Sequence, residues 1–348
     1  MFSPRSTKLS PNKRRSPGRQ KIRGSTPCRT PPTFIHAHSR YFLRMVDQAL
    51  WHVTCFYRFV SIDEERLDDL RLELKAWSHE HGLHGLVIVA PEGINGTVSG
   101  DETILAEFKA LICRMVGTED IRFKDSVSQV RPFRRMTVDR RSEIVGLKRP
   151  DLVPDSPENR HLSPQQWHAM LSRENPPLLI DTRNTYETLT GKFKGAVDPG
   201  LKTFSDWATY LDKAELSKDE PVLIYCTGGI RCEKAILAMH DRGFDKVYQL
   251  RDGILGYLAE YPNGLFEGDC FVFDDRVALN QELKPSGRFG ICPGCGLTSG
   301  DKRECEWCGK EYYVCTACEP TWDPVCGKPC RDRWRRHGPK QQSISNRS

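Results

Sequence analysis

The sequence lacks any apolar run of the length that a membrane span needs. Roughly 18–20 consecutive apolar residues are required to cross a bilayer, and no stretch of the 348 residues approaches this length. The amino-terminal segment also lacks the short hydrophobic core of a secretory signal. These two absences argue against an integral membrane protein and against a secreted one, and we expect a cytoplasmic protein.

Acidic residues are missing from the amino-terminal segment. Residues 1–46 are rich in Lys, Arg, Ser and Pro and contain no Asp or Glu. A segment of this composition cannot bury enough apolar surface to fold, so we predict a basic disordered tail over residues 1–46. An organelle transit peptide and a true start at Met45 are alternatives that the sequence leaves open.

Cofactor motifs are also missing. The chain has no flavin or NAD fingerprint and no His/carboxylate cluster of the kind that holds non-haem iron. It does contain fourteen cysteines without a secretory signal. Such cysteines are expected to serve metal binding or catalysis rather than disulfide bonds.

The patterning predicts an α+β region followed by a linker. Residues 47–148 show the order β-α-β-β-α-β of a ferredoxin-like (acylphosphatase-like) domain. Leu67, Leu70 and Leu74 recur at helical spacing and indicate its first helix. A linker is predicted over residues 149–160, where three prolines stand among polar residues.

An α/β domain and a cysteine-rich region complete the chain. Residues 161–265 alternate short apolar strands, PLLIDTR, PVLIYC and KVYQL, with helices, which predicts a parallel sheet covered on both faces. Ser163 as N-cap and Pro164 at the first helical position mark the first of these helices. Residues 266–348 have little hydrophobic periodicity and many cysteines, so we predict a metal-stapled module that ends in a basic tail.

A candidate nucleophile stands at the end of an apolar strand. Cys226 is followed by Thr227, Gly228 and Gly229, and Arg231 lies at the start of the next helix. Glycines let backbone N–H groups converge, while the helix N-terminus and the arginine add positive charge, so the thiolate is stabilised and its pKa is lowered. Four residues separate the cysteine from the arginine, one fewer than in the loop of cysteine phosphatases, which suits a persulfide. A buried core thiol is the alternative.

Eight further cysteines form closely spaced pairs. They are Cys292/Cys295, Cys305/Cys308, Cys315/Cys318 and Cys326/Cys330. Four such pairs match two structural zinc sites, each with four thiolate ligands. Three pairings are possible, among them a sequential one and a cross-braced one that joins the first pair with the third, and the sequence does not choose between them.

Two basic clusters are candidates for RNA contact, because arginines with nearby aromatic rings suit phosphate binding and base stacking. A solvated charged face is the alternative for each. The clusters are Arg131, Arg134, Arg135, Arg140, Arg141, Lys148 and Arg149, and then Arg331, Arg333, Arg335, Arg336 and Lys340 around Trp334.

Several motifs together resemble a known family. LLIDTRNTYE, KFKGA and the Cys226 loop resemble the rhodanese domain. APEGINGTVSG, PFRRMTVDRRSEIVGL, CTGGIRCEKA and EGDCFVFDDRVA together resemble the rhodanese-containing tRNA uridine(34) hydroxylases, which make 5-hydroxyuridine at the wobble position. The resemblance spans about residues 50–330. It implies an oxidoreductase with tRNA as substrate, molecular oxygen as co-substrate and an unidentified electron donor.

The resemblance also assigns roles to residues. Cys226 matches the catalytic, persulfide-forming cysteine, and Arg231 would hold an anion or the thiolate. Asp181 and Arg183 would frame the pocket with the loop residues; an internal ion pair, for instance between Arg183 and Glu187, is the alternative.

The sequence allows several interpretations of the cysteine loop and of the function. Cys232 either resolves a persulfide or packs in the core, and packing is favoured. As a chemical hypothesis, the Cys226 thiolate adds to C6 of uracil and makes C5 nucleophilic. A plain sulfurtransferase and a non-catalytic RNA-binding adaptor are the alternative functions.

Overall fold

The structure is a computed structural model that describes residues 50–154 and 160–338. The predicted basic tail, the centre of the predicted linker and Lys340 lie outside the described residues. In the part of the chain that is described, no helix combines the length and the apolar character that crossing a membrane requires.

The first region is a five-stranded sheet with two helices. Its elements are β1 (Trp51–Phe59), α1 (Leu67–Glu80), β2 (His84–Ala90), β3 (Gly93–Gly100), α2 (Glu102–Val116), β4 (Lys124–Ser128) and β5 (Met136–Arg140). The strand order is β4-β1-β3-β2-β5, and β5 lies parallel to β2. The predicted β-α-β-β-α-β order is confirmed, with β5 as an additional strand at the edge.

Helical periodicity accounts for how this region packs. Leu67, Leu70 and Leu74 are buried on one face of α1, since residues three and four apart share a side of a helix. Both helices cover the same face of the sheet. On the other face, Ile88 packs in a small cluster that Ile230 of the second region joins. The two regions therefore share a buried interface.

The second region is a parallel sheet between helices. Its elements are β6 (His161–Leu162), α3 (Pro164–Leu171), β7 (Leu178–Asp181), α4 (Thr185–Thr188), β8 (Gly191–Phe193), α5 (Trp207–Lys213), β9 (Val222–Tyr225), α6 (Ile230–His240), β10 (Val247–Leu250) and α7 (Gly253–Glu260). The order β6-β10-β9-β7 is parallel throughout. Along β9, Ile224 packs in one hydrophobic cluster and Leu223 in another. Successive side chains of a strand face opposite sides, so both faces are covered as predicted.

The start of the first long helix in the second region agrees with the sequence prediction, whereas the segment before this region differs from it in part. Ser163 accepts a hydrogen bond from Gln166 N as the predicted N-cap, and Pro164 is the first residue of α3. Leu147 and Leu152 are buried in the core of the second region. Of the predicted linker, Leu152 is therefore packed against that core, while its other described residues are exposed or half-buried. Leu147, which the predicted boundaries place in the first domain, packs there too.

The third region is built from short hairpins and one helix. Its elements are β11 (Phe266–Gly268), β12 (Cys270–Phe271), β13 (Ala278–Leu279), β14 (Gly290–Ile291), β15 (Thr298–Ser299), β16 (Lys302–Glu304), β17 (Glu311–Tyr313) and α8 (Lys328–His337). β11 pairs antiparallel with β8, so the third region begins as an extension of the second. We did not predict α8, because its residues are almost all polar and give no apolar periodicity.

Buried polar contacts join the first region to α6. The Lys234 ammonium donates to Glu92 Oε2 at 2.7 Å and to Glu143 Oε1 at 2.6 Å. The Tyr57 hydroxyl donates to Glu233 Oε1 at 3.0 Å. Buried charges need close partners to offset their desolvation, so these contacts fix α6, and with it the loop that precedes α6, against the first region.

Candidate active site and metal centres

The cysteine loop is held by its glycines. Cys226 follows β9 directly, and Gly229 N donates to Cys226 Sγ at 3.1 Å. Gly229 has φ +99°, and a Cβ at this position would lie 3.0 Å from the Tyr57 hydroxyl oxygen. Gly253 has φ +62°, and a Cβ there would lie 2.5 Å from the Cys226 carbonyl oxygen. Only glycine fits both positions, since L side chains disfavour positive φ and the neighbours leave no room.

The environment of Cys226 favours the thiolate. Burial by itself would raise the pKa of this thiol. A hydrogen bond from Cys232, the charge of Arg231 and the backbone N–H groups of Arg231 and Gly229 act in the opposite direction and lower the pKa to about 6. Burial and the neighbouring sulfur raise the pKa of Cys232, which stays a thiol. One sulfur of the pair is therefore prepared as a nucleophile and the other as a hydrogen-bond donor.

Arg231 is held by Glu187, which the sequence offered as one alternative partner for Arg183. The Arg231 guanidinium donates to both carboxylate oxygens of Glu187, each at 2.8 Å. Glu187 is buried, and Arg231 lies over the ring of Phe273 at 5.5 Å from the ring centre. The side chain of Arg231 is thus fixed beside Cys226 by an ion pair on one side and an aromatic ring on the other.

Asp181 and Arg183 pair with each other. Arg183 donates through Nε to Asp181 Oδ1 at 2.9 Å and through a terminal nitrogen to Oδ2 at 2.6 Å, and both side chains are fully buried. The suggested pair of Arg183 with Glu187 does not form, because Glu187 binds Arg231. Within the lining that the structure describes, neither Asp181 nor Arg183 reaches the cavity. Arg183 also donates to the Gly191 carbonyl oxygen at 2.7 Å, so the pair braces the chain behind the loop.

A cavity of about 450 Å³ opens above the cysteine loop. Cys226 is only 1% exposed but belongs to its lining. All three regions of the chain contribute to the cavity lining. Of the predicted residues, Thr227, Gly228 and Arg231 also line it. Four further lining residues were not predicted: Cys55, Tyr57, Asn95 and Phe273. Gly229, also predicted as a pocket residue, does not belong to the lining that the structure describes, and its N–H donates to Cys226 Sγ.

Signals for the missed residues were present but weak. Asn95 and Phe273 stand inside APEGINGTVSG and EGDCFVFDDRVA, two of the motifs that carried the resemblance. Tyr57 lies on β1, where alternation predicts only that one face is buried. Burial and the nearby Glu233 raise the pKa of Tyr57 well above its ordinary value, so its hydroxyl remains a donor.

The eight paired cysteines form two clusters whose thiol sulfurs lie within 4.8 Å of one another. The clusters are Cys292, Cys295, Cys315 and Cys318, and Cys305, Cys308, Cys326 and Cys330. The first pair joins the third and the second joins the fourth. Of the three pairings that the sequence left open, the cross-braced one is therefore found.

The cluster dimensions suit a tetrahedral ion. A zinc–sulfur bond of about 2.3 Å gives a sulfur–sulfur edge of about 3.8 Å in a tetrahedron. The sulfurs of Cys295 and Cys315 are 3.8 Å apart, and those of Cys308 and Cys326 are 3.7 Å apart. Each cluster can hold a metal ion. Four protein ligands fill every position of such an ion, which fits a structural role.

Many residues of the predicted basic clusters are engaged within the protein. Arg140 binds Glu64 and Asp68, and Arg149 binds Asp151 and Asp241.

The same is true of the carboxyl-terminal cluster. Trp334 donates through its indole nitrogen to Glu306, and Arg331 lies 4.4 Å from the ring centre of Trp322. These contacts favour the solvated or structural alternative for several of the basic residues and leave the others as candidates for RNA contact.

Comparisons with family profiles cover nearly all of the described chain. Residues 51–144 match the profile described as "UPF0176 acylphosphatase like domain". Residues 163–260 match "Rhodanese-like domain", and residues 267–331 match "Rhodanase C-terminal". The fold class predicted from the sequence is confirmed by these matches.

Curated relatives match over most of their length. The chain is 41% identical over 297 residues to a Bdellovibrio bacteriovorus protein, which covers 84% of each chain. It is 38% identical over 243 residues to one from Acaryochloris marina, 69% of this chain and 77% of the relative. It is 35% identical over 271 residues to one from a Wolbachia of Brugia malayi, 77% of this chain and 98% of the relative. All three bear the name tRNA uridine(34) hydroxylase.

Proposed function

The chain belongs to the family of tRNA uridine(34) hydroxylases, and we propose that it hydroxylates C5 of the wobble uridine with Cys226 as the nucleophile. The observation that carries this proposal is the Cys226 thiol, whose pKa is lowered to about 6 at the base of a cavity of about 450 Å³. A nucleophile in such a position can reach a base only after the base has left its stack. The loose, single-stranded wobble position suits that requirement.

The chemistry follows from the electronic structure of uracil. C5 of uracil is a poor nucleophile, but addition of the Cys226 thiolate at C6 moves an electron pair towards C5 and O4. Backbone N–H groups of the loop and the charge of Arg231 would stabilise the developing negative charge. One atom of dioxygen then enters at C5 and the other leaves as water, with two electrons and two protons from an external donor. Loss of the C5 proton and of the thiolate restores the aromatic ring and the free enzyme.

The other parts of the chain have supporting roles in this proposal. Zinc occupies the two cysteine clusters and stabilises the third region without contacting the substrate. The first region forms the wall of the cavity that faces Cys226. Asp181 and Arg183 act as positioning residues behind the loop. The cytoplasm is the expected compartment, because it holds the tRNA.

The proposal is tested by nucleoside mass spectrometry of tRNA. Cells that lack the protein are complemented with wild type, with Cys226→Ala or with Cys113→Ala. Cys113 is a half-buried thiol on α2, remote from the cavity, and serves as the matched control. We expect 5-hydroxyuridine derivatives in the wild type and the control only. Full modification by Cys226→Ala would exclude the thiolate mechanism, and unchanged nucleosides in all strains would favour sulfur transfer or an adaptor role.

A further inference from the structure

We propose that Phe273 is the ring on which the target base stacks when it enters the cavity above Cys226. The proposal rests on the proposed function, since it concerns the same cavity and the same base. It adds a substrate-contacting residue that lies on the third region, outside both the cysteine loop and the first region.

Phe273 is exposed in a place where its neighbours are buried. Its side chain is 56% exposed, whereas Phe271 and Val272 are 5% and 6% exposed. Single exposed apolar residues are common on protein surfaces and need no explanation by themselves. Phe273, however, lines the same concave cavity as the reactive thiol. Arg231 lies over one side of the ring, and the exposed part of the side chain leaves ring surface that a planar ligand can cover.

The ring is presented by a fixed turn rather than by a loose loop. Val272 N donates to Val277 O, and Val277 N donates to Asp274 O, each at 2.9 Å. Arg276 donates to both carboxylate oxygens of Asp274, at 2.8 and 2.6 Å, and this ion pair is almost completely buried.

The same turn is tied to the first region. Asp275 N donates to Pro132 O at 2.8 Å, and Arg276 donates to Ser126 Oγ at 3.3 Å. A ring on such a turn loses little freedom when a ligand binds, which favours its use as a stacking platform.

The surroundings of the ring fit a pyrimidine. Phe271 meets Phe273 edge to face at 5.1 Å between ring centres, so one edge of the ring is already packed. Arg231 lies 5.5 Å from the ring centre and carries the positive charge that the carbonyl oxygens of uracil attract. Stacking on an aromatic ring tolerates every base. Phe273 would therefore hold and orient the base rather than select its identity.

The test compares binding of two anticodon stem-loop RNAs, one with uridine at position 34 and one abasic at that position. We expect Phe273→Ala and Phe273→Leu to weaken binding of the uridine RNA by roughly five-fold to a hundred-fold. Binding of the abasic RNA should be unchanged. Phe273→Trp should retain the preference for the uridine RNA, because it keeps an aromatic face.

The leucine variant separates stacking from packing, because leucine fills space without offering a ring. Val127→Ala is the matched control, an exposed apolar side chain on β4 outside the cavity lining, and it should bind both RNAs as the wild type does. Wild-type preference in Phe273→Leu, or an equal loss for both RNAs in Phe273→Ala, overturns the proposal. Because binding needs no turnover, these outcomes judge Phe273 separately from the hydroxylation, which the nucleoside analysis judges.

Discussion

Two regions of this protein use cysteine in opposite ways. In the second region a single thiolate is favoured by a guanidinium, a neighbouring thiol and backbone N–H groups, and its sulfur faces a cavity. In the third region eight thiols converge in two groups of four, each the size of one metal ion. The first arrangement places a reactive cysteine in the lining of a cavity, whereas the second surrounds one ligand with four thiols.

The difference extends to what holds each site together. The cysteine loop is supported by buried ion pairs. Glu187 pairs with Arg231 within the second region, and Glu92 and Glu143 of the first region pair with Lys234. The third region has only a small hydrophobic cluster of its own, in which the cysteines themselves take part. The loop therefore depends on the surrounding fold, while we expect the cysteine-rich module to depend on a bound metal ion.

The largest effect is expected from removal of a metal ligand. Cys305→Ser should lower the bound metal from two ions per chain to one, because one cluster then loses one of its four thiol ligands. The effect on the third region should be large, since metal binding supplies about 10–16 kcal/mol to small structural sites. Elemental mass spectrometry measures the metal, and limited proteolysis follows the third region. Cys226→Ser is the matched control and should keep both ions. Two tightly bound ions in Cys305→Ser would contradict the structural role.

The next effect concerns the support of the cysteine loop. Lys234→Met leaves Glu92 and Glu143 facing each other in a buried site, which should cost about 3–5 kcal/mol in the free energy of unfolding. Burial raises the pKa of Glu92 even in the presence of the lysine. Lowering the pH should therefore neutralise the acid in the variant and recover part of the stability, because the folded state then binds more protons than the unfolded one. Urea unfolding at two pH values measures both.

The control for that variant is an exposed ion pair. Arg140 contacts Glu64 and Asp68 at the surface, and Arg140→Gln should change stability by less than about 1 kcal/mol. Equal decreases in the free energy of unfolding of the two variants would show that the buried Lys234 pairs stabilise the protein no more than the exposed Arg140 pairs.

A smaller effect is expected on the reactivity of the nucleophile. Arg231→Met is combined with Glu187→Gln, so that no buried carboxylate is left without its partner. Loss of the cation should move the pKa of Cys226 upwards from about 6 towards the ordinary value of about 8.5. Only the thiolate is alkylated, so the rate of iodoacetamide labelling at pH 6 should fall at least about ten-fold. At pH 9 the wild type and the double variant should be labelled at similar rates. If the dependence of the labelling rate on pH is the same in both, Arg231 does not lower the pKa of Cys226.

Local patterns in the sequence predicted the elements that local physics determines. The glycine and arginine positions around Cys226 lie within six residues, so strand, turn and helix signals correctly placed Cys226 between β9 and α6. The paired spacing of the cysteines likewise predicted two four-thiol sites. The partner of each pair depends on how the hairpins of the third region fold back, which spacing alone leaves undetermined.

Contacts between segments that are distant in the chain could not be predicted from these local patterns. Arg183 pairs with Asp181, two residues before it, because Glu187 pairs with Arg231, 44 residues further along the chain. Phe273 lines the cavity only because the third region returns across the cysteine loop.

The smallest effect separates the basic residues that bind tRNA from those that serve the fold. Among the ion pairs of the described residues, Arg135 takes part in none, and its side chain is exposed. Arg140 is occupied by two acids. We expect Arg135→Gln to weaken tRNA binding by a few fold and to reduce the slope of log affinity against log salt by about 1, since one phosphate contact is lost. Arg140→Gln should leave the slope unchanged, because its charge is already neutralised within the protein. Salt titrations of both variants measure the difference, and equal slopes would assign tRNA contact to another surface.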